Sequence, residues 1–247
     1  MSWIGYGLRG GILTTRYPNG DDSMPPAYRG EIDVIGSAPV DAAIGAGVCL
    51  SNAIVVADGA AYVDRLRCFQ CGECTRVAPD TFHARSHFEL AQPVQSPEAT
   101  FTALRKRSRA FGRSVHLRHV DAGSDGSEEQ ELAAIFNPFY DANRLGIFLT
   151  ATPRHADVLI VTGVVTRAMA EPLQRTYDAM PDPKTVIALG TSACSGGIFA
   201  GSAEVVGPVS RLLPVDVMIP GSPPAPLTIL HGLWVALGQA LARGANR

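Results

Sequence analysis

No apolar run in this chain approaches the roughly 18 uninterrupted residues that a membrane-spanning helix needs. The best candidate, Leu227–Leu241, is too short and too interrupted. An excess of one charge is also missing, since 21 Lys and Arg against 23 Asp and Glu leave a net charge of −2. Binding to nucleic acid or another polyanion is therefore not expected. The first residues lack a charged-then-apolar pattern, so no secretory signal is expected. Cysteine is scarce, with five in 247 residues, and three of the five crowd into one short run. That clustering argues against a secreted disulfide framework and for intracellular metal or redox chemistry. The six histidines are scattered without ligand spacing. No Ser/His/Asp set or pair of carboxylates stands out, so no catalysis is assigned to the chain itself.

The remaining composition is that of a globular protein, 46% hydrophobic and 18% charged. Residues 1–30 read as an N-terminal arm in which Trp3, Tyr6 and Arg9 suit either an interfacial helix or a packed segment. Residues 31–92 hold four of the cysteines in short apolar runs. Pro93–Pro97 reads as a linker. Ala99–Gly112, with Arg105, Lys106, Arg107 and Arg109, reads as a basic helix stopped by Gly112, its charges on a solvated face. Residues 93–113 thus form a linker and helix between two units.

From Ser114 the pattern alternates. Val115–Val120, Val158–Thr162, Val186–Leu189 and Val215–Ile219 are short β-branched runs, each closed by a turn signal. Glu129–Phe136 and Glu171–Met180 read as helices between them. This predicts an α/β unit over residues 114–247 with a doubly wound, flavodoxin-like parallel sheet. Ligands of such sheets collect at the loops beyond the strand carboxyl ends.

The cysteine run is Cys68-Phe69-Gln70-Cys71-Gly72-Glu73-Cys74. Its C-x₂-C-x₂-C spacing lets one turning segment present three thiolates to a small inorganic core, as half of the bacterial ferredoxin iron–sulfur motif does. Where the full motif reads Cys-Pro, this chain reads Ala78-Pro79. Upstream, Cys49-Leu50-Ser51-Asn52-Ala53-Ile54 resembles the Cys-Pro-x-x-Ala-Ile of two-cluster ferredoxins. That resemblance implies a small α+β ferredoxin-like domain over residues 31–92. It also implies that the other positions of the first motif fall at Pro39, Ala42 and Gly45. In two-cluster ferredoxins the fourth cysteine of each motif ligates the other cluster. Sorted in that way, one cluster has all four ligands, Cys49, Cys68, Cys71 and Cys74, and the other, at Pro39, Ala42, Gly45 and Ala78, has none. Random loss of four of eight cysteines would leave one cluster whole in roughly 1 pattern in 35 under this cross-ligation. The resemblance therefore implies one retained [4Fe–4S] cluster and one erased site closed up by small, uncharged residues. A zinc site on the same thiolates is one alternative, and a metal-free relic is another.

A second resemblance rests on Leu117-Arg118-His119-Val120-Asp121-Ala122-Gly123-Ser124, Gly190-Thr191-Ser192-Ala193-Cys194-Ser195-Gly196-Gly197 and Pro214-Val215-Asp216-Val217-Met218-Ile219-Pro220-Gly221-Ser222-Pro223-Pro224. Over about Ser114–Gly238 the chain is similar to the small electron-transfer subunit of group 4-type [NiFe] hydrogenases and formate hydrogenlyase, itself related to the terminal-cluster subunit of respiratory complex I. The N-terminal half, with Leu8–Pro18 and Tyr28-Arg29-Gly30, resembles the ferredoxin-like subunit of the same complexes. The chain thus resembles a fusion of two neighbouring subunits. In that family the small subunit holds a [4Fe–4S] cluster on four cysteines; the matching positions here are Asp125, Glu128, Ser192 and Ser222. Carboxylates and hydroxyls are poor ligands for a soft iron–sulfide core, so no cluster is expected there. A hydrogen-bonded polar pocket is the plain reading of those four residues, and a hard-cation site such as Mg²⁺ the alternative. Cys194 lies two residues past a ligand position and reads as a small buried hydrophobe.

The resemblance implies two functions. The chain is either a one-cluster electron-transfer subunit of a complex I- or hydrogenase-related oxidoreductase, or a redox-inactive docking subunit whose cluster only stabilises its fold. Both imply a large catalytic-type subunit and membrane-module subunits as partners, and a peripheral place on the cytoplasmic face of the cell membrane. A dinucleotide- or flavin-binding role is the weaker third reading, because Gly190–Gly197 is not a G-x-G-x-x-G fingerprint.

Overall fold

The computed structural model describes residues 3–20, 22–36, 38–94, 97–111 and 114–239. In the N-terminal part, α1 (Trp3–Gly10) leads to β1 (Glu31–Val34), α2 (Pro39–Val48), β2 (Ile54–Ala57), β3 (Ala60–Val63), α3 (Glu73–Val77) and β4 (Phe82–Arg85). β1 and β4 pair antiparallel, with Val34 opposite Phe82. β2 and β3 form a hairpin whose two turn residues, Asp58 and Gly59, have φ of +51° and +77°. An Asp-Gly turn supplies that left-handed backbone, which matches the twist of the paired strands. Pro39 opens α2 at a position where its missing N–H costs nothing.

The C-terminal part comprises β5 (Gln92–Pro93), α4 (Pro97–Ser108), β6 (Val115–Asp121), α5 (Ser127–Ala134), β7 (Ile147–Leu149), β8 (Val158–Thr162), β9 (Val165–Thr166), α6 (Arg167–Asp178), β10 (Thr185–Leu189), α7 (Thr191–Ser195), β11 (Val205–Gly207), β12 (Val217–Ile219) and α8 (Pro226–Ala236). Six strands form one sheet in the order β5-β12-β10-β8-β6-β7. All neighbours are parallel except β5, which runs antiparallel to β12 at the edge. Numbered along the chain, the five parallel strands stand in the order 2-1-3-4-5, so the direction of winding reverses between β6 and β8.

The central strands are buried on both faces, as parallel strands with helices above and below must be. Ile160, Ile187 and Leu189 face one apolar layer with Leu104 of α4, Leu132 of α5 and Leu230 and Leu233 of α8. Leu159, Val161, Val186 and Ala188 face the other, with Leu173 of α6 and Ala193 of α7. Helix α8 is apolar on nearly every side, and all its residues but Trp234 are buried. Gly232 lets β12 approach, because a Cβ there would stand 2.1 Å from Ile219 Cδ1.

Several sequence expectations need adjustment. The segment read as a linker begins with β5, so the boundary at residue 93 falls inside an edge strand of the sheet. The expected basic helix begins at Pro97 and tightens into a 3₁₀ turn at Arg109–Phe111. Gly112, its expected stop, lies outside the described residues, as does the end of Leu227–Leu241. Arg107 is not on a merely solvated face: its Nη1 donates to Asp216 Oδ1 at 2.8 Å and to the Lys184 carbonyl at 3.1 Å. β7 is absent from the sequence reading, since three residues are too few to show a period. No helix among the described residues is long and apolar enough to cross a membrane. In the arm, α1 buries no residue. The segment after it is pinned instead: Thr15 N donates to Phe139 O, and Arg144 donates to the carbonyls of Thr15 and Tyr17.

One buried group couples this fold to pH. His231 of α8 is fully buried, and its Nδ1 accepts the Ala91 N–H at 3.3 Å. Burial, with His87 adding repulsion, pulls its imidazole down to about 3. The folded state thus holds His231 neutral while the unfolded chain charges it near pH 6.5, so stability is full above that pH and falls as pH drops below it. The expected slope is about 1.4 kcal/mol per pH unit, or about 2 kcal/mol between pH 6.5 and 5. Urea unfolding at both pH values checks this, and His231→Asn is expected to lose that dependence.

Candidate functional site

The cysteine loop is shaped by left-handed residues. Asp64 starts the turn, accepting Leu66 N on its side chain and the N–H of Arg67 and Cys68 on its carbonyl. Gln70 and Gly72 follow with φ of +59° and +78°. The chain thereby reverses and enters α3, which carries Cys74. A side chain at Gly72 would meet Arg29, whose Cδ stands 2.6 Å from the position of a Cβ. Cys49 comes from a separate element, at the end of α2, where Asn52 supplies another left-handed residue.

Cys49, Cys68, Cys71 and Cys74 line a single cavity of about 340 Å³, walled by Ile32, Ile54, Val63 and Phe69. Cys74 is buried, Cys49 and Cys68 are half-buried, and Cys71 is exposed. Two backbone donors face the sulfurs, Ala53 N at 3.2 Å from Cys49 Sγ and Gln70 N at 3.4 Å from Cys68 Sγ. Burial pushes the Cys68 thiol up to about 11, against the help of the Gln70 N–H, and burial raises Cys74 as well. Thiolates here require a cationic core among them. The donor set suits one: soft sulfur, apolar walls and N–H groups aimed at sulfur are what an iron–sulfur core asks for. Among the described residues, no three of His, Cys, Asp and Glu stand as a group that could hold a metal ion. The cavity is wide for one ion whose sulfurs would sit at about 2.3 Å.

Pro39, Ala42, Gly45 and Ala78, expected from the sequence to mark an erased site, do not line that cavity. Ala42 and Ala78 are buried in an apolar cluster with Phe82, which is 1% exposed, while Pro39 is exposed at the helix start. A Cβ on Gly45 would stand 2.3 Å from Phe82 Cε2. The ring therefore occupies the space that a side chain at residue 45 would need. Phe82 escaped the sequence reading; its signal was one aromatic residue four places after Ala78, at the start of a strand.

In the C-terminal part the relevant loops sit where the winding reverses. Gly123 and Gly163 touch across β6 and β8: a Cβ on Gly163, at φ +72°, would stand 2.2 Å from Ser124 N. Asp121 Oδ1 accepts the N–H of Gly123 and of Ser124, each at 2.8 Å. Glu129 accepts Ser124 Oγ at 2.7 Å and also Thr162 Oγ1, which lies 2.9 Å from His119 Nε2. Burial holds the His119 imidazole below its usual range, opposed by Glu129 and Asp121. The sequence carries no local sign of this network, because its members come from β6, α5 and β8.

Asp125, Glu128, Ser192 and Ser222, the four residues expected from the sequence at cluster-ligand positions, differ in exposure. Asp125 is exposed and caps Ser127, accepting its Oγ at 2.6 Å and its N at 3.0 Å. Ser222 is exposed at a turn and Ser192 half-buried. Glu128 is buried, with its carboxyl over Gly190, where a Cβ would stand 2.6 Å from Oε1. Burial raises the Glu128 carboxyl, and Asp125 and Glu129 add to the rise against its own backbone N–H and Ser127. Cys194 is buried, with its thiol 3.5 Å from Ala188 O and 3.6 Å from Ile219 O, and burial pushes it up to about 12. It packs in the apolar layer of α7 and does not line the cavity of the other four.

Residues 126–236 match the family described as NADH ubiquinone oxidoreductase, 20 Kd subunit. The chain is 45% identical over 127 residues to the probable membrane-bound hydrogenase subunit mbhJ of Pyrococcus furiosus, a match covering 51% of this chain and 76% of that one. It is 45% identical over 126 residues to formate hydrogenlyase subunit 7 of Escherichia coli, covering 51% of this chain and 49% of that one, so it spans about half the length of that relative. It is 40% identical over 137 residues to an uncharacterized protein of Methanocaldococcus jannaschii, covering 52% of this chain and 91% of that one.

Two substitutions probe these loops. Phe82→Ala is expected to destabilise by about 3–5 kcal/mol, the range for emptying a buried aromatic site, measured by chemical unfolding. Glu128→Gln is expected to raise the unfolding midpoint at pH 7 and leave it unchanged at pH 4. The raised carboxyl stabilises the fold fully below its unfolded value and loses that contribution as pH rises through its folded one, a loss that Gln does not suffer.

Proposed function

Since the chain belongs to the family of the 20 kD subunit of NADH ubiquinone oxidoreductase, with relatives named as membrane-bound hydrogenase and formate hydrogenlyase subunits, we propose that it is an iron–sulfur electron-transfer subunit of a membrane-associated oxidoreductase complex of that kind. It carries one [4Fe–4S] cluster on Cys49, Cys68, Cys71 and Cys74, within a ferredoxin-like N-terminal domain, and lacks the family's terminal cluster. The observation that carries this reading is the single cavity lined by all four thiols.

When bound, such a cluster supplies one-electron redox chemistry at a potential set by hydrogen bonds to sulfur and by exposure. The chain's own residues do the rest. Ala53 and Gln70 N–H groups stabilise negative sulfur. Ile32, Ile54 and Val63 exclude water from the inner side, while exposed Cys71 leaves one edge open to a partner. Phe82 among Ala42, Gly45 and Ala78 supports the absence of a second cluster. Exposed Asp125 and Ser222 and buried Glu128 support the absence of a cluster at the strand ends.

A large catalytic-type subunit and membrane-module subunits are the partners, and the chain sits peripherally on the cytoplasmic face of the membrane. The exposed Trp3, Ile4, Tyr6 and Leu8 of α1 support docking at that module. The second reading, a redox-inactive docking subunit, is favoured by Glu128, whose carboxyl occupies the turn at Gly190 where the family's terminal cluster would be bound.

Anaerobically purified protein is expected to hold about four iron and four acid-labile sulfide per chain, as one cube requires. Cys71→Ala is expected to abolish this and Cys194→Ala to preserve it. Eight irons, or zinc without sulfide, would overturn the one-cluster reading. Rapid freezing of the purified complex during turnover separates the two roles: a cluster that substrate never reduces on the turnover timescale leaves only the docking role.

A further inference from the structure

Thr191 opens α7, with Gly190 alone between it and the end of β10, and is fully buried. Its hydroxyl donates to the Cys68 carbonyl at 3.2 Å, and the Gly221 N–H donates to that hydroxyl at 3.2 Å. Its own N–H donates to Gly221 O at 2.8 Å. One small side chain thus joins the cysteine loop to two of the loops at the sheet's carboxyl end. A hydroxyl has one proton, so with Gly221 on its lone pair that proton is directed at Cys68.

A second contact supports the same loop. Gly197, at φ +54°, leaves room for the Phe69 ring, which would stand 3.3 Å from a Cβ there. Pro220 also shares a small cavity with Cys68 and Gln70. The loop that carries three of the four thiols therefore rests on Thr191 and Gly197.

We propose that Thr191 is a positioning residue for the Cys68 side of the four-cysteine site, fixing the Cys68 carbonyl and setting the reduction potential of the cluster bound there. The inference rests on the one-cluster reading. The Cys68 carbonyl and the Phe69 N–H share one rigid peptide plane. Holding that plane fixes the start of the turn at Gln70, whose N–H donates to Cys68 Sγ. Groups around the ligands of a metal site orient them and tune the metal. The Thr191 O–H dipole, positive end toward Cys68, favours the more negative reduced state. Its removal lowers the potential.

The test uses the full chain, reconstituted anaerobically, with iron content and the midpoint potential from an EPR-monitored titration. Thr191→Val keeps the shape and removes both bonds. It is expected to retain the wild-type iron content with a lower potential, and Thr191→Ser to restore the wild-type potential. Wild-type iron content with an unchanged potential in the Val variant overturns the inference and leaves the one-cluster reading intact. A wild-type chain that takes up no iron overturns that reading, and the inference with it. Should Thr191→Val not fold, Phe69→Ala tests the same seat: a shifted potential with faster hydrogen exchange over residues 68–72 supports the inference, and an unchanged potential overturns it.

Discussion

β8 and β10 give alternate side chains to both apolar layers, so neither can slip by one residue without exchanging its two faces. That register fixes where the strands end. Because it does, Asp121, Thr162, Leu189 and Ile219 deliver their loops to one edge of the sheet. Thr191 can reach both Gly221 and Cys68 only because β10 and β12 stop level with each other. The cysteine loop is thus located by the packing of a sheet to which it contributes no strand.

Two kinds of polar burial meet at this edge. Cys74 is buried and Cys49 and Cys68 half-buried as soft, polarisable groups, the latter two with N–H donors aimed at sulfur, an arrangement that favours negative charge on sulfur. Glu128 is a hard acid held over Gly190, where negative charge is disfavoured by burial and by Asp125 and Glu129. The one environment invites an electron-rich core and the other resists it, although Thr191, which touches the cysteine loop, directly follows Gly190. Of Asp125, Glu128, Ser192 and Ser222 only Glu128 is buried, and its carboxyl is the one whose charge burial resists.

Much of this was legible along the chain. Four parallel strands were readable because a strand buried on both faces is a continuous β-branched run closed by a turn, as in Val158–Thr162. The cysteine set was readable because three of its members share one local spacing. β5 and β7 were not, since two- and three-residue strands carry no period. Arg107 looked solvated because its partner, Asp216, is distant in sequence. Phe82 and the Glu129–Thr162–His119 network were hidden for the same reason: each depends on contacts between separate elements, which no local pattern encodes.

Phe82 also limits what its neighbourhood can accept. Ala42, Gly45 and Ala78 surround a ring, and a side chain at residue 45 would collide with it. A larger residue at position 45 would bring a collision, and removing the ring first would leave a hole that nothing fills. Either single change therefore passes through a less stable chain. The ring and the glycine are interlocked: neither can be exchanged alone, so the two positions are bound to change together.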